Sequence, residues 1–238
     1  MLNKVTVGYQ ALSALLRDKV QQGIWQIGEA IPSESSLAKE YGVAVGTIRQ
    51  AISQLADEGL LIKRHGKSTV VSSGLHGQSM LRFFRCQLDN REQLLPQANV
   101  LDLKEVPLDK EISRLTGWDS KVSLRIHRLR YINTEPLLYE TIYLPLPKFK
   151  KLVNYQPSQF EDLFYPMYAK LCRVAVIKAQ DQVSFELMKK ADAKALNMKE
   201  GHPAVRVNRL AFDLSGKAVE YRSSVGDALA FQYSAEVR

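Results

Sequence analysis

Apolar positions near the start of the chain fall at helical spacing. In YQALSALLRDKVQQG, Leu12, Leu15, Leu16 and Val20 recur three and four residues apart, which predicts an amphipathic helix stopped by Gly23. A second helix begins in IPSESSLAKEYG, with Ser33 at the N-cap, Leu37, Ala38 and Tyr41 on the inner stripe and Gly42 as the stop. After a short turn, GTIRQAISQLADEG puts Ile48, Ala51, Ile52 and Leu55 on one face and Gly59 at its end. LLIKRHGKSTVVS then reads as two short β runs around His65-Gly66-Lys67, a hairpin with a basic tip.

The run SSGLHG breaks this periodicity with Ser and Gly. We therefore place a first domain over residues 1–72, a linker over 73–92 and a second domain over 93–238. In the second, the β-type stretches VLDLKEVPL, VSLRIHRLRYI and AVRVNRLAFDL alternate with the helical patterns QFEDLFYPMYAK and SFELMKKADAKAL. The expected class is α+β: an N-terminal winged helix-turn-helix followed by a C-terminal α+β domain.

Composition narrows the setting. Hydrophobic residues make up 45% and charged residues 24%, the balance of a globular chain. No apolar run approaches the roughly 20 residues needed to span a bilayer, and MLNKVTVGYQ lacks the features of a secretory signal, so a cytoplasmic address without membrane attachment is expected. Cys86 and Cys172 lie far apart, outside any disulfide framework or zinc spacing. The net charge of +8 favours a polyanionic partner. Residues 1–71 carry only eight Lys or Arg against six Asp or Glu, so the case for DNA rests on pattern rather than bulk charge.

In a helix-turn-helix, the second helix offers its N-terminal residues to the major groove, and here these are Gly46, Thr47, Arg49 and Gln50. Arg49 is the candidate for a base or phosphate contact, and Ser33 joins the DNA-facing set. Arg64, His65, Gly66 and Lys67 at the hairpin tip place charge and a close-approaching backbone at the sugar-phosphate edge. The order PSExxLAxxY, xTIRxAIxxLxxEGLLxxRHGKxTxV resembles the N-terminal domain of GntR-type regulators over residues 9 to 71. It departs from the family where Ser35 replaces a common arginine and Ala44-Val45 replaces Ser-Arg, so two polar or base-reading side chains are missing. A winged helix serving as a protein-docking module is the competing reading.

In KVSLRIHRLRYI, Val122, Leu124 and Ile126 share one strand face, which Arg128 and Arg130 continue. Buried guanidinium groups need partners, so this placement calls for an anion. NTEP turns the chain and LLYETIYLP returns with Leu138, Glu140, Ile142 and Leu144 in phase, setting Glu140 opposite Arg128. The two form either a cross-strand salt bridge or part of a pocket in which Arg130 grips a phosphate or carboxylate. A second hairpin turns at Ser215-Gly216-Lys217 and puts Glu220 near Ala211, diagonal to Arg209, as a salt bridge or a ligand contact.

This half resembles the UTRA effector domain of the HutC branch of the GntR family. The resemblance rests on RLR at Arg128 to Arg130, Glu135-Pro136, YETIYLP, LNMKEGHPAVRVNRLAFD and GKAVEY, and it covers about residues 94 to 238. It implies a chorismate lyase-like fold, binding of a small acidic metabolite, dimerisation through this domain, Arg128 and Arg130 on the acidic group, and Glu140 and Glu220 on polar groups of the ligand. The helix start Pro157-Ser158-Gln159 and the tail YRSSVGDALAF depart from the pattern of sugar-phosphate sensors, which leaves sulfonates, phosphonates and carboxylates open.

The expected function is therefore DNA-binding regulation, as a repressor, by a homodimer on a double-stranded operator, modulated by a small acidic effector. No cofactor, metal or catalytic residue is expected. G-x-S-x-G, H-E-x-x-H and P-loop motifs are absent, and the histidines at 65, 76, 127 and 202 are dispersed. A lyase-like enzyme on the same fold is the alternative, which turnover of an acidic aromatic substrate would reveal.

Overall fold

The computed structural model describes residues 8–63, 68–74, 97–132 and 134–231. The chain forms two compact units, residues 1–75 and 76–238. No helix among the described residues is long and apolar enough to cross a membrane.

In the first unit, α1 (Tyr9–Gln21), α2 (Glu34–Tyr41) and α3 (Val45–Asp57) precede β1 (Leu61–Ile62) and β2 (Val70–Val71). The inner stripes meet as their spacing predicts: Leu12, Leu16, Leu37, Ile48, Ala51 and Leu55 are fully buried. Leu15 departs from expectation at 46% exposure, and buried Ser13 takes the inner position instead. Its hydroxyl donates to the Tyr9 carbonyl at 2.8 Å and reaches Gln54 Oε1 of α3 at 2.9 Å, so the polar atom is satisfied where α1 crosses α3. Ser33 caps α2 by accepting the Ser36 N–H at 3.1 Å, and Gly42 closes that helix with φ 64°. β1 and β2 pair antiparallel, Leu61 with Val71, as the hairpin reading requires. Its tip, Arg64, His65, Gly66 and Lys67, lies outside the described residues.

The second unit is a six-stranded antiparallel sheet in the order β3-β4-β5-β8-β7-β6. Its strands are β3 (Gln97–Pro107), β4 (Val122–Ile132), β5 (Glu135–Pro145), β6 (Val176–Leu187), β7 (Pro203–Asp213) and β8 (Ala218–Asp227). Asp109 caps the short helix α4 (Lys110–Thr116) by accepting two backbone N–H groups. α5 (Phe164–Met167) runs into a π turn over Tyr168–Cys172, and α6 (Lys190–Ala195) follows β6. Ala193 and Leu196 pack with Leu129 of β4, Val225 of β8 and Met188 on one sheet face. By strand alternation, Arg128 and Ser224 point to the other face.

Two expected helices are corrected. QFEDLFYPMYAK, residues 159–170, begins at the end of a 3-10 turn (Pro157–Gln159) and holds only the four-residue α5 and the first part of the π turn. In SFELMKKADAKAL, residues 184–187 belong to β6, and only Lys190–Ala195 is helical. β6 is an edge strand, and its alternating Val183, Phe185 and Leu187 are 40%, 70% and 69% exposed.

Leu16→Ala, at the fully buried crossing of α1, is expected to cost the first unit about 2–5 kcal/mol, measured by urea unfolding.

Candidate DNA-reading and effector-binding sites

Three residues, Gly42, Val43 and Ala44, separate α2 from α3. Ala44 is the N-cap of α3 and offers no side-chain hydrogen bond, so the first N–H groups of that helix lack a capping oxygen. An alanine there is about 1 kcal/mol less stabilising than serine. Thr47 lies within the first turn, its N–H donating to the Ala44 carbonyl at 3.0 Å, and so is not the cap. Val45, Gly46, Arg49 and Gln50 are all exposed. A Cβ added at Gly46 would meet nothing within 4 Å and its φ is not positive, so the fold does not require glycine at this position. Glycine here costs up to about 1 kcal/mol relative to alanine.

Arg49 is 63% exposed, but its guanidinium is engaged by Glu34 at the start of α2, through Nε and Nη2, each 2.9 Å from Oε2. An ion pair this exposed contributes about 0–1 kcal/mol, and it orients the side chain without locking it. Lys63, where β1 leads toward the hairpin tip, donates to Ser53 Oγ of α3 at 2.5 Å.

The other site lies within the sheet of the second unit. Arg128 and Arg130 are 1% exposed and stand in phase with buried Leu124 and Ile126, as the alternation predicts. Val122, at 37% exposure, lies at the solvated end of the same strand. Arg128 pairs with Glu140 directly across the ladder, with Nε at 2.6 Å and Nη2 at 2.5 Å from Oε2. Both arginines also turn toward the Asp162 carbonyl, Arg130 Nη1 at 3.0 Å and Arg128 Nη1 at 3.5 Å. The Arg128 guanidinium stacks over Phe164 at 4.0 Å, a favourable cation–π arrangement.

The expected Glu220–Arg209 bridge is corrected. Arg209 is taken by Asp181 of the neighbouring strand β6, at 2.6 Å from Nε and 2.7 Å from Nη2. Glu220 instead accepts from Arg222 at 2.8 Å, from Tyr168 at 2.8 Å and from Tyr165 at 3.2 Å. Arg222 Nη1 also lies 3.4 Å from Glu140 Oε1, which accepts from Ser224 at 3.1 Å. Arg128, Arg130, Glu140 and Glu220, all singled out in the sequence, therefore fall within one cluster. Arg222, Tyr165, Tyr168, Ser224 and the Asp162 carbonyl complete it. Arg222 was legible in principle, because it sits two residues from Glu220 on the same strand face.

Two known domain profiles match the chain. The UTRA domain covers residues 91–232, more than half its length, and the bacterial regulatory proteins of the gntR family cover residues 8–71. The chain belongs to the GntR family, in the group that carries a UTRA domain.

Among its relatives, the HTH-type transcriptional repressor NagR of Bacillus subtilis is 25% identical over 94% of this chain and 92% of that protein. A probable fructoselysine utilization operon transcriptional repressor of Escherichia coli is 24% identical over 89% of this chain and 86% of that protein. The fold is shared with PhnF from Mycobacterium smegmatis, with TM-score 0.54 and 20% identity over 95% of this chain and 98% of that one. It is also shared with the ligand-binding domain of a GntR-family regulator from Bordetella bronchiseptica, with TM-score 0.61 and 17% identity over 65% of this chain and 96% of that one.

Within the UTRA domain the electrostatics favour negative charge. Arg128, Arg130 and Arg222 share one buried cluster with Glu140 and Glu220, and buried Arg209 stands across from Arg222 with Asp181 as its carboxylate. Burial, reinforced by the adjacent Arg128 charge, brings the Arg130 pKa down to about 9. Burial by itself would raise Glu140, but Arg128, Arg222 and Arg130 outweigh it and hold the carboxyl at about 2. Burial and the Glu220 charge push Tyr165 up to about 12, so its hydroxyl stays protonated and donates. On the opposite sheet face, His127 Nδ1 lies 2.9 Å from Asp102, away from this cluster as its strand position predicts.

A carboxylate held at about 2 when folded stabilises the domain fully above about pH 4.5 and loses that contribution as pH falls toward 2. Glu140→Gln is expected to flatten the loss of stability across this window in urea titrations. At neutral pH the same change should cost about 3–5 kcal/mol, because it leaves Arg128 buried without its carboxylate.

Proposed function

We propose that this GntR-family chain is a cytoplasmic homodimeric repressor, in which residues 1–72 bind operator DNA, residues 93–238 bind a small acidic metabolite, and residues 73–92 link the two. The observation that carries this reading is the pairing, in one chain, of a helix-turn-helix bearing an exposed arginine with a sheet whose buried face gathers guanidiniums in excess of carboxylates. The names of the relatives, transcriptional repressors of a similar length, support the sign of regulation. The chain acts by binding rather than by turnover, a reading supported by the names of its relatives, which are regulators.

Glu34 holds the Nε–Nη2 edge of Arg49, and we assign the outward Nη1 end to a phosphate. Ser33, Thr47, Gln50 and the tip residues Arg64, His65, Gly66 and Lys67 complete the DNA-facing set. In the second domain, Arg128, Arg130 and Arg222 hold the acidic group, and Glu140, Glu220, Tyr165 and Tyr168 face its polar remainder. A ligand shifts operator affinity only by binding one arrangement of the dimer more tightly than the other.

Arg49→Ala is expected to weaken duplex binding to a similar degree across sequences and to reduce the salt slope by about 1, measured by fluorescence anisotropy at several salt concentrations. A loss confined to one base position would instead make it a base reader. The effector is sought by thermal shift against phosphosugars, phosphonates, sulfonates and carboxylates. Arg130→Ala should abolish the response and leave DNA binding without effector near normal; the reverse pattern would defeat the assignment.

A further inference from the structure

The start of α3 breaks two local rules at once. Ala44 occupies a cap position that serine, threonine, asparagine or aspartate fill better, and Gly46 sits in the first helical turn with ordinary backbone geometry and open space around it. Neither choice gains anything inside the fold. Between them, Val45 holds its side chain 39% exposed at the end of the helix that faces DNA. Departures from local consistency that bring no internal gain point to a constraint from outside the molecule.

We propose that Val45 reads the C5-methyl group of thymine in the major groove, with Ala44 and Gly46 keeping the helix end low enough for the base edges to reach it. The chemistry fits: thymine is the base that offers an apolar group in that groove, and Val45 has no donor or acceptor for the hydrogen-bonding edges of the others. Arg49, one turn along the helix, has its Nε–Nη2 edge held by Glu34 and is assigned above to a phosphate, so the apolar contact at this end falls to the valine. The assignment rests on the DNA-reading role proposed above and specifies the operator: a thymine, not a guanine, opposite the start of α3 in each half-site.

The test begins with selection of binding duplexes from a random library by the full-length chain, followed by replacement of each thymine in the enriched motif with deoxyuridine, which lacks the methyl group. Loss of one contacted methyl is expected to weaken binding about fourfold per half-site, the equivalent of ~0.8 kcal/mol per buried carbon. Val45→Ser, folded by circular dichroism, should bind thymine and deoxyuridine duplexes alike. Gly46→Ala should raise the melting temperature of the first unit by about 4 °C while weakening duplex binding, because the added methyl favours the helix and obstructs the groove. An enriched motif whose affinity ignores deoxyuridine, or a Val45→Ser chain that still senses it, overturns the assignment and leaves the DNA-reading role standing. Unweakened duplex binding by Gly46→Ala removes the close-approach part. If no motif is enriched and no duplex binds in a salt-sensitive way, the DNA-reading role itself falls, and the thymine assignment with it.

Discussion

Charge taken out of water organises the second domain. Moving a guanidinium or carboxylate into a protein interior costs several kcal/mol even after relaxation, and only close, well-oriented partners recover it. Arg128 and Glu140 meet that condition directly across β4 and β5, and Arg222 and Glu220 meet it along β8. Arg222 and Ser224 reach from β8 to Glu140 on β5, so the same contacts that neutralise charge also tie three strands together on one face. Tyr165 and Tyr168 hold Glu220 from the helical side. The cluster retains its charged groups where a purely apolar core of similar volume would be as stable or more so, which is the expected signature of a site kept for recognition.

The first domain obeys a different constraint. Its core is a meeting of helical stripes with one buried polar contact, Ser13 to Gln54, and the pair Arg49–Glu34 lies exposed near the starts of α3 and α2. An exposed pair such as Arg49–Glu34 contributes little stability and is correspondingly easy to rearrange.

Much of this arrangement was legible in the sequence because period and phase survive without knowledge of tertiary structure. The stripes Leu12-Leu16-Val20 and Ile48-Ala51-Ile52-Leu55 gave the helices, and the alternation from Leu124 to Arg130 put both arginines indoors. The hairpin centre near Thr134 set Glu140 against Arg128 to the residue. What escaped depends on contacts between elements distant in sequence. VSFEL alternates apolar and polar residues as a strand does, but it runs into the helical pattern MKKADAKAL with no turn signal between them, so the two read as one element. Missing that strand hid Asp181, and Arg209 was assigned to Glu220 for want of its true partner. The segment before α5 looked helical by composition, but Asp162 is drawn into backbone contacts with the sheet that no local pattern announces.

Asp162 is held at both ends of its chemistry. Its carbonyl receives Arg130, and more distantly Arg128, while its carboxylate accepts the backbone N–H of Ala98 at 2.6 Å, at the first turn of β3 into the sheet. β3 is the first described strand of this domain. An anion that claims the two guanidiniums would compete with that carbonyl for the same protons, and a residue displaced at one end loosens its grip at the other. An occupant of the cluster and the N-terminal end of β3 would therefore compete through one residue, Asp162, whose peptide carbonyl faces the arginines and whose side chain holds Ala98.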